Sequence, residues 1–362
     1  MYISSITLNN FRNYSHEKIE LSPLTNVIYG DNAQGKTNIL EAVYIFSHGK
    51  SHRTKSDKEL IRFGEDFAKL SIDFHDSERD YNAIMQITKG GKKSIKINHV
   101  QISKLSMLMN YLNVVMFSPE DLDLVKGSPG TRRRFIDAAI SQLYPGYLVS
   151  LIDYHKSLAQ KNSLLKVLKT SGKKSDITLS VWNEQLAEEG TKIMNYRSDF
   201  VALLNRFSAA IQSEISGESL CIAYQPSIKG EDISRDFFYE YLENHQRREI
   251  EFSSALFGIQ RDDLSITINN NEARIYGSQG QQRTATLSMK MAQADYIHHI
   301  KGEYPILLLD DIMSELDINR RTYLSKKIRD KQVLITCTDT DLIDSTDSTK
   351  LFRIKNGVIM QP

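Results

Sequence analysis

Cysteine is nearly absent from this chain. Two in 362 residues, Cys221 and Cys337, stand far apart with no CxxC spacing. That argues against a disulfide-stapled secreted framework and against a cysteine zinc module, and makes a reducing cytoplasm the expected compartment. Long apolar runs are missing too. The most apolar stretch, Ile306-Leu307-Leu308-Leu309, is stopped by Asp310 and Asp311, far short of the ~20 residues that cross a bilayer. Residues 1–10 alternate apolar and polar with no basic stretch leading into an apolar run, so a strand is expected there and a secretory signal is not. Neither charge sign is in excess: 46 Lys and Arg against 45 Asp and Glu leave +1, which offers no global case for a polyanionic partner. There is no internal repeat and no low-complexity segment. The single tryptophan, Trp182, opens a helical stretch and reads as packing.

What is present describes a globular chain. With 40% hydrophobic and 25% charged residues, it can bury roughly three quarters of its unfolded surface. The length corresponds to two domains, or one large domain carrying an inserted module, at about 150 residues each. Basic residues cluster at Lys50, Arg53, Lys55 and Lys58, at Lys89, Lys92, Lys93 and Lys96, at Arg132 to Arg134, and at Lys161, Lys166, Lys169, Lys173 and Lys174. Acidic residues are frequent around 231–251 and 310–317, so charge is expected to be polarised over the folded surface.

Up to about residue 115 the pattern is mainly strand, at 2–8, 25–29, 67–74, 81–87 and 94–97, with a hairpin turn at Gly90-Gly91. One helix interrupts it at 37–46, where Ile39, Leu40, Val43 and Phe46 share a face. From 132 to 215 the period becomes helical. Leu186, Ile193, Tyr196, Phe200, Leu203, Phe207, Ile211 and Ile215 form one apolar stripe with a gap at Gly190, closed by Gly217. Such a helix would be roughly 50 Å long, long enough for an arm, with a hairpin turn at 170–175. Strands resume at 220–224, 264–268, 306–309 and 333–336 and as a terminal pair near Phe352 and Val358. Helices at 281–300 and 319–329 alternate with them, the crossover pattern of a mostly parallel sheet.

The strongest motif is Gly30-Asp31-Asn32-Ala33-Gln34-Gly35-Lys36-Thr37, a GxxxxGK[ST] loop between an expected strand and helix. Chance would place its four constrained positions somewhere in such a chain about one time in a hundred. Glycines let backbone N–H groups surround phosphate oxygens, Lys36 supplies a cation to the β and γ phosphates, and Thr37 offers a hydroxyl to Mg²⁺. A nucleotide triphosphate such as ATP is therefore the expected cofactor, with Mg²⁺. Ile306 to Asp311 has the form of a Walker B element: Asp310 would hold Mg²⁺ and Asp311 would polarise the attacking water. Ser278-Gln279-Gly280-Gln281 precedes a helix in the manner of an ABC-type signature motif, which meets the γ-phosphate through its serine and helix terminus. Ser314-Glu315-Leu316-Asp317 follows the Walker B element.

These motifs, with Leu8-Asn9-Asn10-Phe11-Arg12-Asn13-Tyr14, Phe117-Ser118-Pro119-Glu120-Asp121-Leu122, Gly127 through Asp137, Tyr224-Gln225-Pro226-Ser227 and Arg261-Asp262-Asp263, resemble the bacterial RecF family, the recombination and repair branch of the SMC-like ABC ATPases. The resemblance covers essentially the whole chain. It implies an α/β fold, an ABC-type ATPase head of mixed sheets with flanking helices and an inserted α-helical arm. The head would occupy 1–130 and 251–362 and the arm 131–250. It also implies an ATP-induced head-to-tail homodimer in which Ser278, Gln279 and Gly280 of one copy and Lys36 of the other share each nucleotide. Arg12 and Asn13 would lie near the base, and Asp317 would belong to the nucleotide-facing set. Double-stranded DNA near single-strand gaps, RecR and RecO are the implied partners, and the implied activity is a weak, DNA-stimulated ATPase. Lys55, Arg132 and Arg133 are candidate DNA phosphate contacts, with ion pairs to nearby carboxylates as the alternative for them.

The chain departs from the family pattern at several points. Gly258-Ile259-Gln260 precedes Arg261 where GPH is usual. Thr336-Cys337-Thr338-Asp339 occupies the place of a histidine-bearing loop, Asp311 is one methylene shorter than the usual glutamate, and the Pro119-Glu120 region replaces the Q-loop glutamine. Thr338 can serve neither as base nor as cation at neutral pH. These changes predict slow hydrolysis. Two other classes stay open on the residues: the nucleotide-binding subunit of a transporter and an ATPase-coupled nuclease, for which only Asp262-Asp263 offers a carboxylate pair.

Overall fold

The computed structural model describes residues 1–173, 176–230, 233–340 and 349–360. Lys174 and Ser175 of the expected hairpin turn, and Glu231 of the acidic stretch, lie outside them. Two compact units partition the chain: Met1–Leu122 with Ile211–Gly217 and Thr286–Pro362, and Asp123–Ala210 with Glu218–Ala285.

The first unit holds two six-stranded sheets. In one, the order is Tyr14–Glu20, Tyr2–Phe11, Phe67–His75, Asp80–Thr88, Lys93–Ile97 and Val100–Ile102, antiparallel throughout. Period-two alternation drives it: Ala68, Leu70, Ile72 and Phe74 are buried while their neighbours face outward. The other sheet runs Val358–Met360, Lys350–Lys355, Thr25–Tyr29, Val333–Cys337, Ile306–Asp310 and Val114–Phe117. Its terminal hairpin is antiparallel and the remaining pairs are parallel. Ile306 through Leu309 and Val333 through Cys337 are buried, as strands covered on both faces must be. The alternation reading does not find Val114–Phe117 for the same reason: all four of its residues are buried and the run has no period.

In the second unit the expected helical stretch resolves into Pro129–Ser141, Pro145–Ser171 and the 40-residue helix Ile177–Ser216, whose last turns belong to the first unit. The gap in the apolar stripe has a packing cause. A Cβ on Gly190 would lie 2.7 Å from the Phe238 ring and 3.2 Å from Tyr154, so only glycine lets that ring close onto the helix. Phe238 belongs to the helix Arg235–Phe252, which the sequence reading leaves unassigned because its surface is mostly charged. Ser234 caps it, accepting from the Phe237 N–H at 3.1 Å. A three-stranded antiparallel sheet, Asn271–Glu272, Asp263–Ile268 and Leu220–Gln225, completes the unit.

Candidate nucleotide site

The strands Thr25–Tyr29, Ile306–Asp310 and Val333–Cys337 end at one edge of the parallel sheet, with Asp310 opposite Thr336 and Cys337 opposite Tyr29. Ligands of open α/β sheets bind outside that edge. Gly30 turns there with φ +144°, and a Cβ on it would meet the Ile354 carbonyl oxygen at 2.4 Å. Gly35, φ +112°, leaves room for the Asn13 side chain, whose atoms come within 2.5 Å of its Cβ position. No other residue fits either place.

The loop between those glycines is held from outside. Asn13 donates Nδ2 to the Gln34 carbonyl and accepts from Asn38 Nδ2, both at 2.8 Å. The Tyr14 hydroxyl donates to the Gly35 carbonyl at 3.0 Å, and the Asn356 N–H donates to Gln34 Oε1 at 2.6 Å. Asn13 thus shapes the phosphate loop itself. The helix Lys36–His48 begins with no side-chain cap and no acidic residue in its first turn, which leaves its N-terminal N–H groups and the positive end of its dipole for an anion. Lys36 is curled back, its Nζ donating to the carbonyls of Gly30 at 2.6 Å and Asp31 at 2.8 Å.

Thr37 and Asp310, 273 residues apart, are in contact: Thr37 Oγ1 donates to Asp310 Oδ1 at 2.8 Å. Thr336 Oγ1 donates to the same oxygen at 2.7 Å and accepts from the Asp311 N–H at 3.0 Å. Asp311 adopts left-handed backbone, φ +52°, and its carbonyl accepts from Ser314 Oγ at 2.8 Å. A hydroxyl beside a carboxylate is the hard oxygen pair that suits Mg²⁺, whose remaining positions go to water and phosphate. Among the described residues there is no cluster of three or more His, Cys, Asp or Glu to hold a metal without nucleotide. Asp317 caps the helix Ile318–Ile328 through the Arg320 N–H at 3.0 Å and pairs with the Arg320 guanidinium.

Arg12, φ +55°, reaches a partner that the sequence reading does not single out. Its Nε and Nη2 donate to Glu41 at 2.8 and 2.6 Å, and its Nη1 to the Glu59 carbonyl at 2.9 Å. Glu41 is fully buried in the phosphate-loop helix. It also accepts from the Ser51 hydroxyl, with Arg53 at 3.7 Å, and Arg53 Nη1 donates to Asn38 Oδ1 at 2.8 Å. Burial pushes the Glu41 carboxyl up, but the Arg12 and Ser51 hydrogen bonds and the two guanidinium charges outweigh it, so the group titrates below its ordinary value.

In the second unit Ser278 and Gln281 form a capping box: the Gln281 N–H donates to Ser278 Oγ at 3.2 Å and the Ser278 N–H to Gln281 Oε1 at 2.8 Å. Ser278 and Gln279 are exposed, and Gly280 is half-buried. Arg132 is 5% exposed and makes a two-pronged pair with Asp263 at 2.6 and 2.9 Å. Arg133 donates to the Asp262 carbonyl at 2.6 Å. Arg197, also buried, joins Asp137 at 2.8 Å to Asp262 at 2.9 Å, and Tyr224 donates to Asp262. The carboxylates that a nuclease reading would use are therefore engaged by arginines. Gln260, one of the expected departures from the family pattern, accepts from the Tyr154 hydroxyl at 2.6 Å. Lys55, Glu120 and Thr338 are exposed. In the strand after Walker B it is Thr336, two residues before Thr338, that touches the site. Strand register decides this, and no local pattern marks it.

The family described as RecF/RecN/SMC N terminal domain matches residues 2–360. "DNA replication and repair protein RecF" of Clostridium perfringens (strain SM101 / Type A) is 44% identical over 363 residues, covering 99% of each chain. The protein of that name from Bacillus thuringiensis (strain Al Hakam) is 43% identical over 371 residues, covering 99% of this chain and 98% of its own. A solved structure described as the recombination mediator protein RecF-ATP in the RecFOR pathway superposes with TM-score 0.93 at 33% identity, covering 100% of this chain and 97% of that one. An SMC head bound to the C-winged helix domain of ScpA, at 17% identity, TM-score 0.58 and 99% and 96% coverage, shares the fold alone. With a phosphate loop and a Walker B strand meeting at one sheet edge, and with relatives this similar from end to end, the chain belongs to the RecF family of the RecF/RecN/SMC group.

Proposed function

We propose that this chain is an ATP-dependent DNA-binding protein of recombinational repair and replication maintenance. The observation that carries the reading is the Thr37–Asp310 contact, which joins the phosphate loop to the Walker B strand at the ligand-binding edge of the sheet. The names of the relatives supply the biological setting.

Lys36 exchanges the Gly30 and Asp31 carbonyls for β- and γ-phosphate oxygens, and the uncapped helix N-terminus adds its N–H groups. Bound Mg²⁺ would neutralise phosphate charge, held by Thr37 and Asp310. Asp311, oriented by its left-handed turn and Ser314, polarises water for a slow hydrolysis. Ser278, exposed at its helix terminus, meets the γ-phosphate held by the Lys36 of a second copy, so ATP joins two chains head to tail and hydrolysis releases them. The dimer holds duplex DNA near single-strand gaps through phosphates, Lys55 and Arg133 among the contacts, and acts with RecR and RecO in loading recombinase in the cytoplasm. Arg132, paired with Asp263, anchors the helix that carries Arg133 in this reading. Among the described residues no helix is long and apolar enough to cross a membrane.

Sedimentation of the protein with ATP, ADP and no nucleotide tests the dimer: equal association in all three conditions removes it. Binding to gapped, duplex and single-stranded oligonucleotides at stated salt, with wild type and Lys36→Ala, tests the gate. ATP-independent binding, unaltered by the substitution, would sink it.

A further inference from the structure

Two of the basic runs, separated by some thirty residues of sequence, meet on one surface of the first unit. Lys93 is the strut between them. Its Nζ donates to the Gly49 carbonyl at 2.9 Å and pairs with Asp57 at 2.8 Å, which docks the hairpin turn Lys89-Gly90-Gly91-Lys92 against the segment 49–58. Gly91 turns with φ +80°, and its Cβ position lies 3.9 Å from Lys58 Cε, so the Lys58 stem runs along the glycine turn. The turn is tied again by the Lys89 N–H, which donates to the Asp66 carbonyl at 2.8 Å.

The face so made is strongly basic. Lys50, Arg53, Lys55, Lys58, Lys89, Lys92 and Lys93 stand against Asp57, Glu59 and Asp66, a local +4 in a chain whose total is +1. The acids are already engaged: Asp57 by Lys93, Asp66 by Lys89 at 3.6 Å, and Glu59 by the Thr54 hydroxyl. Lys50, Lys55, Lys58 and Lys92 are exposed and make no ion pair among the described residues. Holding unpaired like charges together raises the self-energy of the fold, a cost relieved when a polyanion displaces its condensed counterions onto solvent. The segment is also strapped to the phosphate-loop helix, by Ser51 on Glu41 and Arg53 on Asn38. This surface and the nucleotide helix therefore belong to one packed element.

We infer that Lys50, Lys55, Lys58 and Lys92 form the main face that grips the phosphodiester backbone of duplex DNA, and that the exposed lysines at 166–173 do not. Phosphate binding by lysine point charges carries no base preference. The inference rests on the DNA-binding function proposed above and assigns its surface.

The test is the slope of log affinity against log salt for a duplex oligonucleotide with ATP. Each phosphate contact contributes about −0.9 to that slope. Substitution of all four lysines by alanine is expected to flatten it by about 3 to 4, while the Lys→Arg quadruple variant keeps the wild-type slope. Because none of the four makes an ion pair among the described residues and their removal relieves like-charge repulsion, the melting temperature should not fall. A second variant, Lys166→Ala/Lys169→Ala/Lys173→Ala, is expected to change the slope by less than about one contact. An unaltered slope in the first variant, or a larger loss in the second, overturns the assignment while leaving DNA binding intact. Wild-type protein with no salt-dependent duplex binding removes the function and the assignment together.

Discussion

Thr336→Val removes one hydroxyl and keeps the shape of the side chain. That hydroxyl donates to Asp310 Oδ1 at 2.7 Å and accepts from the Asp311 N–H at 3.0 Å. Thr37 donates to the same Asp310 oxygen, but in the proposed ligand-bound state its oxygen would face Mg²⁺, which would leave Thr336 as the hydroxyl anchor of the carboxylate. A hydrogen bond to a charged group contributes about 1.5–3 kcal/mol, and loss of a partner that orients a metal ligand lowers metal affinity about 10- to 100-fold. The Asp311 N–H retains the Thr336 carbonyl at 3.2 Å, so the turn persists and the damage falls on Asp310. The Mg²⁺ midpoint for binding a fluorescent ATP analogue, titrated at fixed nucleotide, should rise by that factor, while binding in EDTA stays at the wild-type level. Thr336→Ser should restore most of the loss. A folded Thr336→Val protein whose Mg²⁺ midpoint moves by less than about twofold would refute the reasoning.

Glu41→Gln strands the Arg12 guanidinium beside a neutral amide. A loss of about 3 kcal/mol in denaturant stability is expected, with weaker nucleotide binding as Ser51 and Arg53 loosen from the helix; unchanged values for both would dismiss the hub. Lys161 and Glu249 are both fully buried and paired at 2.6 Å. Lys161→Ala alone should cost about 3–5 kcal/mol in a urea melt, whereas Lys161→Met with Glu249→Leu should come close to wild type. Burial pushes the His48 imidazole down to about 3 from its ordinary value of 6.5. Its neutral form thus contributes stability above pH 6.5 that is lost as pH falls toward 3, and His48→Gln should flatten that part of the stability profile. Glu303, paired with the Met1 ammonium at 2.8 Å and hydrogen-bonded by Ser77, is held at about 2 despite partial burial. Its contribution is present above about pH 4.5 and disappears between there and pH 2, so Glu303→Gln should remove an acid-side transition that wild type shows.

Reading the chain without coordinates succeeds where the controlling physics is local. Gly30 and Gly35 are required by backbone geometry, and the strand before them and the helix after them follow from spacing. The helix expected over 281–300 is found at Gln279–Lys301, and the structure adds a capping box between Ser278 and Gln281 at its start. The reading falters where burial erases periodicity, as at Val114–Phe117, and where charge hides a helix held by a few contacts, as at Arg235–Phe252. Arg132 shows a third kind of limit. A basic triplet carries the same letters on a DNA face and in an ion pair, and only its distance to Asp263, 131 residues away, separates the two.

By itself the sequence located the GxxxxGKT loop between its strand and helix, the apolar strand ending in Asp310 and Asp311, the helix that follows Ser278, and the family, because each is written in residues within a few positions of one another. The tertiary structure decided that Thr37 and Thr336 share Asp310, that Arg12 serves a buried Glu41, and that two lysine runs join into one surface. Those pairings depend on strand order and register over separations of tens to hundreds of residues, where no local propensity constrains which side chains come within a hydrogen bond of each other.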